Sequence, residues 1–147
     1  MANVSFKIQP MPDPFAKAKR SEIMAAVKST NNKLTELKLV TIFRRYGVKG
    51  WRRHLPLRGK PDFAFPLHRV IVFVDGCFWH GCPMHLRIPV TNRSYWEQKI
   101  SKNVLRDRTT NHYLKKKRWI VLRVWEHDLR HESRVISRIL NVLNKAK

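Results

Sequence analysis

Between positions 69 and 75 the chain reads RVIVFVD, a run that is apolar at consecutive positions rather than at alternate ones. A strand sends successive side chains to opposite faces, so such a run is stable only when both faces are covered. The flanking segments supply the cover. Helical patterning is present over 17–27 (Ile23, Met24, Val27) and 30–46, where Leu34, Leu37, Val40, Thr41 and Phe43 predict the buried face and Gly47 the stop. Residues 50–54 read as a short strand, 62–65 as a second, and Pro66-Leu67-His68 as the turn into the run at 69–75. A loop over 76–92 leads to a long helix over 94–116, with Tyr95, Trp96, Ile100, Val104 and Asp107 at helical spacing. A strand over 119–125 and an amphipathic helix over 134–143 close the chain. This order predicts an α/β sandwich with helices on both faces of a mixed sheet. Pro10, Pro12 and Pro14 predict an extended, flexible N-terminal arm over 1–16, and 17–147 fits one domain.

Charge narrows the function. The 147 residues hold 31 Lys and Arg against 10 Asp and Glu, a formal net charge of +21. Self-repulsion on that scale opposes compaction, and nucleic acid is the partner that relieves it, because phosphate contacts release counterions. A membrane surface is the weaker rival, since the helices need their apolar faces for the core. No apolar run reaches the roughly 20 residues of a membrane span, and the N-terminal MANVSFKIQP lacks a signal-peptide core. With two cysteines only, a reducing, cytoplasmic setting and a non-disulfide role are expected.

Because acids are scarce, their positions carry information. Between Glu36 and Glu97 the acidic residues are Asp62, which opens one strand, and Asp75, which ends the next. Strand ends facing a loop are where an α/β sheet presents chemistry, and carboxylates in a basic surface suit Mg²⁺-assisted phosphodiester hydrolysis. The alternatives are a turn or salt-bridge residue for Asp62 and a loop-capping aspartate for Asp75. Cys77-x4-Cys82-x2-His85, with His127 beyond the strand at 119–125, supplies four ligands for a closed tetrahedral structural Zn²⁺ site, a Cys77–Cys82 disulfide being the alternative. His80 lies inside this cluster but also suits a general base aimed at the Asp62 region, with Asp107 to orient it. The competing reading of Asp107 is a surface partner of Arg106 and Arg108. Phe78, Trp79 and Trp96 are core residues or aromatic wedges that unstack base pairs.

These motifs, in this order, resemble the very-short-patch repair (Vsr) mismatch endonucleases over about 19–128. The matching pieces are RSEIM at 20–24, TEL at 35–37, GKPDF at 59–63, VFVDGCFWHGC at 72–82, YWEQKISKNVLRDR at 95–108 and WIVLRVWEHDL at 119–129. The resemblance implies a restriction-endonuclease-like three-layer core with a structural zinc, in a single endonuclease domain. It implies nicking of one DNA strand 5′ to the thymine of a T:G mismatch, with Mg²⁺ as cofactor. The family's metal-binding aspartate falls on Asp62 and the adjoining carbonyl on Val74, its catalytic histidine on His80, the paired aspartate on Asp107, the helix-borne glutamate on Glu36, and the wedge aromatics on Phe78, Trp79 and Trp96. Departures are also present. Some members carry histidine where this chain has Asp75, leaving metal ligand, water ligand or orienter open there. The Cys77–Cys82 loop is shorter than in members with extra histidines, so His85 replaces one of their ligands, and His127 stands where some have cysteine. A monomer acting on mismatched double-stranded DNA is expected, with other mismatch-repair proteins as further partners. A Vsr-related homing endonuclease cutting paired DNA and a non-catalytic zinc-bearing DNA-binding module are the rival readings.

Overall fold

The computed structural model describes Asn32 and residues 34–146. The arm expected over 1–16 and the helix expected over 17–27 lie outside the described residues. Within them the order is α1 (Glu36–Arg45), β1 (Arg52–Arg53), β2 (Phe63–Phe65), β3 (Val70–Asp75), α2 (Arg93–Lys116), β4 (Ile120–Trp125) and α3 (Glu132–Lys145), with 3₁₀ turns at Pro66–His68 and Glu126–Arg130. The strands form one sheet in the order β1-β2-β3-β4. The first two pairings are antiparallel and β3–β4 is parallel, so the sheet is mixed, as expected. A parallel pair needs a long crossover, and the 76–92 loop with α2 provides it.

Every residue of β2 and β3 is buried, which answers the demand of the RVIVFVD run. On one face Phe63, Phe65, Val70, Val72 and Val74 pack with Leu122 and Val124 against Leu39 and Phe43 of α1 and Ile136 and Ile139 of α3. Alternate residues Ala64, Ile71 and Phe73 turn to the other face and meet Leu114 of α2, with Tyr113, Trp119 and Val121 around them. Each fully buried side chain of this size contributes about 1.5–3 kcal/mol, so the two-sided core is what fixes the strand. A separate cluster of Leu86, Ile88, Trp96 and Ile100 pins the 76–92 loop onto the start of α2. No helix among the described residues is long and apolar enough to cross a membrane.

The buried face of α1 differs from the expected one. Leu39, Val40, Ile42, Phe43 and Glu36 point inward, whereas Leu34 and Thr41 are exposed and Leu37 is half-buried. Two apolar stripes compete on this helix. They share Val40 and Phe43, both inward as expected; the Phe43 ring, edge-on against Phe63 and Phe65 at 5.1 and 5.9 Å between centroids, fixes a rotation that adds Leu39 and Ile42 and leaves Leu34 and Thr41 outside. The stop falls where expected, with Gly47 at φ +66° and the Val48 amide donating to the Phe43 carbonyl at 2.9 Å. The helix begins at Glu36, later than position 30, after Asn32 Oδ1 accepts from the Leu34 amide at 2.9 Å.

Gly59 fastens the 55–60 loop to α2. It has φ +86°, and a Cβ there would lie 2.3 Å from Thr110 Cγ2, a buried β-branched side chain with nowhere to go. Gly47 also has positive φ but open space around it. Gly59→Ala is therefore expected to lower unfolding free energy by about 2–4 kcal/mol, against about 1 kcal/mol for Gly47→Ala, as read from urea denaturation midpoints. Equal effects would show that backbone strain alone acts at Gly59.

Candidate active site and metal centre

The carboxyl-terminal ends of β3 and β4 lie side by side, with Asp75 opposite Trp125 in the parallel register. Chemistry collects there in two adjoining clusters, one of carboxylates with an imidazole and one of thiols with imidazoles.

Asp62 sits in the bend before β2 and is half-buried. Its Oδ2 accepts the Val74 amide hydrogen at 2.8 Å, where the β2–β3 ladder runs out. Burial pushes its carboxyl up to about 6; the Val74 hydrogen bond and His80 oppose this, and the negative charges of Glu36 and Asp75 add to it. Asp62, Glu36, Asp75 and His80 thus share one electrostatic neighbourhood. Glu36 is buried on α1, and its Oε1 is held by Arg53 at 2.6 Å and by His54 at 2.9 Å. These clamps occupy the glutamate that the resemblance places in the site.

His80 Nδ1 donates to Asp107 Oδ2 at 2.6 Å, and Asp75 Oδ1 lies 3.7 Å from the same nitrogen. Burial alone would depress the imidazole pKa, but the Asp107 hydrogen bond and the charges of Asp75 and Asp107 outweigh it, and the net shift is upward. With Nδ1–H committed to Asp107, the neutral ring carries its lone pair on Nε2. Asp107 therefore pairs with His80 across the fold, not with Arg106 or Arg108, its neighbours in sequence. Asp75 is buried, and Arg123 Nη1 reaches both of its oxygens, at 2.8 and 2.9 Å. Burial raises the Asp75 pKa while His80 and Arg123 oppose the rise. The sequence reading did not single out Arg123. Its signal was a lone cation inside the apolar strand IVLRVW, on the face where a carboxylate had to meet it.

The second cluster is Cys77, Cys82, His85 and His127, whose ligand atoms all lie within 4.8 Å of one another. Cys77 Sγ is 3.2 Å from His127 Nδ1, and Cys82 Sγ is 3.7 Å from both His85 Nδ1 and His127 Nδ1. Zinc bonds of about 2.0–2.3 Å place tetrahedral ligands about 3.3–3.8 Å apart, so the set matches a metal site that is slightly open. Both cysteines are free thiols, not the alternative disulfide. Burial, with the charges of Cys82 and Glu126, pushes the Cys77 thiol up to about 11, a sulfur that ionises only beside a cation. Asp128 Oδ1 stands 3.4 Å from His127 Nε2, on the side of the ring away from the sulfurs. That is the carboxylate–histidine support seen behind metal-bound imidazoles. His80, adjacent in sequence, turns away from this group toward Asp107.

Phe78 and Trp79 are half-buried and meet edge-on at 5.2 Å between centroids. Trp96 departs from its expected wedge role. It is 7% exposed, one helical turn before Ile100, and packs beneath Phe78 and Trp79 with Leu86 and Ile88. In this conformation it is core that backs the other two rings.

The raised Asp62 pKa has a consequence for stability. The folded chain holds the Asp62 proton more tightly than the unfolded chain, so its stability falls as pH rises from about 4 through about 6. Without added Mg²⁺, Asp62→Asn is expected to stabilise the protein by about 1–3 kcal/mol at pH 7, with no gain below pH 4, measured by denaturation at both values. Destabilisation at pH 7 would mean that the carboxylate serves the fold instead.

The profile of the family described as DNA mismatch endonuclease Vsr matches residues 12–85. The DNA mismatch endonuclease Vsr of Escherichia coli (strain K12) is 35% identical over 131 residues, covering 88% of this chain and 83% of that enzyme. The type II nicking enzyme V.NaeI of Lentzea aerocolonigenes is 56% identical over 69 residues, 47% of this chain and 42% of that enzyme. The type II nicking enzyme V.NmeDIP of Neisseria meningitidis serogroup C is 36% identical over 119 residues, 80% of each chain. With half the chain matched by the profile and most of it aligned to these enzymes, this protein belongs to the Vsr family of DNA mismatch endonucleases and is a DNA-cleaving hydrolase.

Proposed function

We propose that this protein nicks one strand of double-stranded DNA 5′ to the thymine of a T:G mismatch, by Mg²⁺-dependent phosphodiester hydrolysis. The observation that carries the reading is His80 Nδ1 on Asp107 at 2.6 Å, in the electrostatic neighbourhood of the half-buried Asp62 carboxylate. Asp62 and the Val74 carbonyl are the hard oxygen donors for Mg²⁺. A carboxylate whose pKa is raised by burial, and further by the charges of Glu36 and Asp75, fits a cation. When bound, that ion supplies acidification of water and neutralisation of charge on the phosphate. His80 Nε2 takes the proton of the attacking water as the new oxygen–phosphorus bond forms and the 3′ oxygen leaves. Asp107 holds the ring in the required tautomer. Asp75 borders the pair, and Glu36 lends its charge from α1.

Cys77, Cys82, His85 and His127 hold a structural Zn²⁺, which ties the 76–92 loop to the end of β4. The loop then carries Phe78 and Trp79 to the duplex, where they enter the weakly stacked mismatch, with Trp96 behind them. The basic side chains grip phosphates and position the protein without specifying sequence. The core is of restriction-endonuclease type, in one domain over 17–147 that acts as a monomer in the cytoplasm, with mismatch-repair proteins as further partners.

Strand-specific nicking of T:G, U:G and fully paired duplexes, with Mg²⁺ present or chelated, tests this reading. Nicking of the T:G strand alone, with Mg²⁺, is expected. Cleavage of the paired duplex would favour a homing activity, and binding without nicking would leave a DNA-binding module. Asp62→Ala and His80→Ala are each expected to lower the single-turnover rate at least about 100-fold while DNA affinity changes less than about threefold. The wild-type rate at saturating Mg²⁺ should climb with pH until His80 has shed its proton, and Asp107 and Asp75 hold that imidazole above its ordinary pKa. Removal of zinc by a strong chelator should lower the melting temperature by about 10 °C or more.

A further inference from the structure

We infer that Arg123 is a positioning residue for this chemistry, a clamp that sets Asp107 against His80 and takes up Asp75, so that Asp75 orients and does not ligate the cation. The inference rests on the reading of His80 as the base.

The geometry begins with the β3–β4 register. Phe73 lies opposite Arg123, so Arg123 shares a sheet face with Phe73 and, two residues on, with Asp75. Its guanidinium stacks 4.2 Å above the Phe73 ring centroid, which fixes its plane. From that plane the donors fan out in three directions. Nη1 reaches Asp75 Oδ1 at 2.8 Å and Oδ2 at 2.9 Å. Nε donates to Asn111 Oδ1 at 2.9 Å. Nη2 lies 3.6 Å from Asp107 Oδ1. Asp107 and Asn111 stand one turn apart on α2, so a side chain from β4 holds two successive turns of the helix that delivers Asp107. Asp107 divides its oxygens, Oδ2 to His80 and Oδ1 toward Arg123.

Two consequences follow. First, the mid-section of α2 is lightly anchored: its buried side chains are Trp96 and Ile100 at one end and Thr110 and Leu114 at the other, and between them the half-buried Val104 packs on the loop cluster while Asn103 Nδ2 donates to the Trp79 carbonyl at 3.1 Å. On the side of the helix that carries Asp107 and Asn111 the anchoring is polar, and Arg123 supplies it. Second, both Asp75 oxygens already face a cation, whereas among the described residues Asp62 meets one backbone amide. The divalent ion goes to the uncompensated carboxylate, Asp62. A Lys at 123 would keep the charge but lose the fork that serves three partners at once.

A double-mutant cycle on the zinc-loaded protein tests the clamp. Single-turnover nicking at saturating Mg²⁺ is compared for wild type, Arg123→Met, Asp107→Asn and the double variant, on whichever duplex the wild type nicks. Arg123→Met is expected to slow nicking about 10- to 100-fold, with DNA affinity changed less than about threefold, and to add less than about threefold in the Asp107→Asn background. Arg123→Lys should restore part of the loss. If Arg123→Met does not fold by circular dichroism, the cycle is run with Arg123→Lys. Independently of activity, the proton resonance of the His80 Nδ1–H, shifted far downfield by the Asp107 hydrogen bond, should vanish in Asp107→Asn and move upfield or broaden in Arg123→Met without Mg²⁺. Rate losses that multiply in the double variant, or an unmoved His80 resonance in Arg123→Met, would overturn the clamp. Loss of Mg²⁺ binding in Asp75→Asn would overturn the orienting role of Asp75. Wild-type rates in both Asp107→Asn and His80→Ala would sink the underlying assignment of the base instead.

Discussion

The parallel pairing of β3 with β4 is the contact on which the site depends. Its register sets Asp75 beside Trp125, so whatever follows each strand by two residues arrives at the same place. Cys77 and His127 are those residues, and they meet at 3.2 Å. The same register puts Arg123 within reach of Asp75 and turns it toward α2. A slip by one residue would send every one of these side chains to the opposite face, so the core that holds the register also holds the chemistry.

Around that pairing the chain divides its labour between two kinds of cluster. The thiols and imidazoles make a soft ligand set that could hold a metal, gathered from a loop rich in glycine and proline and from the end of β4. The carboxylates make a hard, open set whose charge is only partly answered within the protein. Asp75 is matched by Arg123 and Glu36 by Arg53 and His54, while Asp62 is left with a backbone amide and a raised pKa. In a chain of net charge +21 this is an uncommon concentration of negative charge. It sets a group of carboxylates within a surface otherwise suited to phosphates.

Much of this was legible in the primary structure, and the reasons are local. Strands and turns were marked by unbroken apolar runs and by Pro66, and Gly47 marked a helix end, because such features act over a few residues. The Cys and His spacing pointed to a candidate metal site since three of the four candidate ligands fall within one loop. Other features were not legible. On α1 the inward Val40 and Phe43 were legible, but whether Leu39 and Ile42 or Leu34 and Thr41 join them depends on the helix rotation set by the contact of Phe43 with Phe63 and Phe65. Trp96 reads equally as wedge or core until its packing on Leu86 and Ile88 is known.

What the amino-acid order determined by itself is the set of elements, the two-sided burial of the central strand, the basic character of the surface and the inventory of reactive groups, for these follow from short-range patterning and composition. What only the tertiary structure decided is pairing: His80 with Asp107 rather than with the cysteines, Asp107 with Arg123 rather than with its flanking arginines, and Asp62 with the Val74 amide. Those choices depend on which strand lies beside which and on the rotation of α2. Packing at long range sets both, and no spacing along the chain encodes either one.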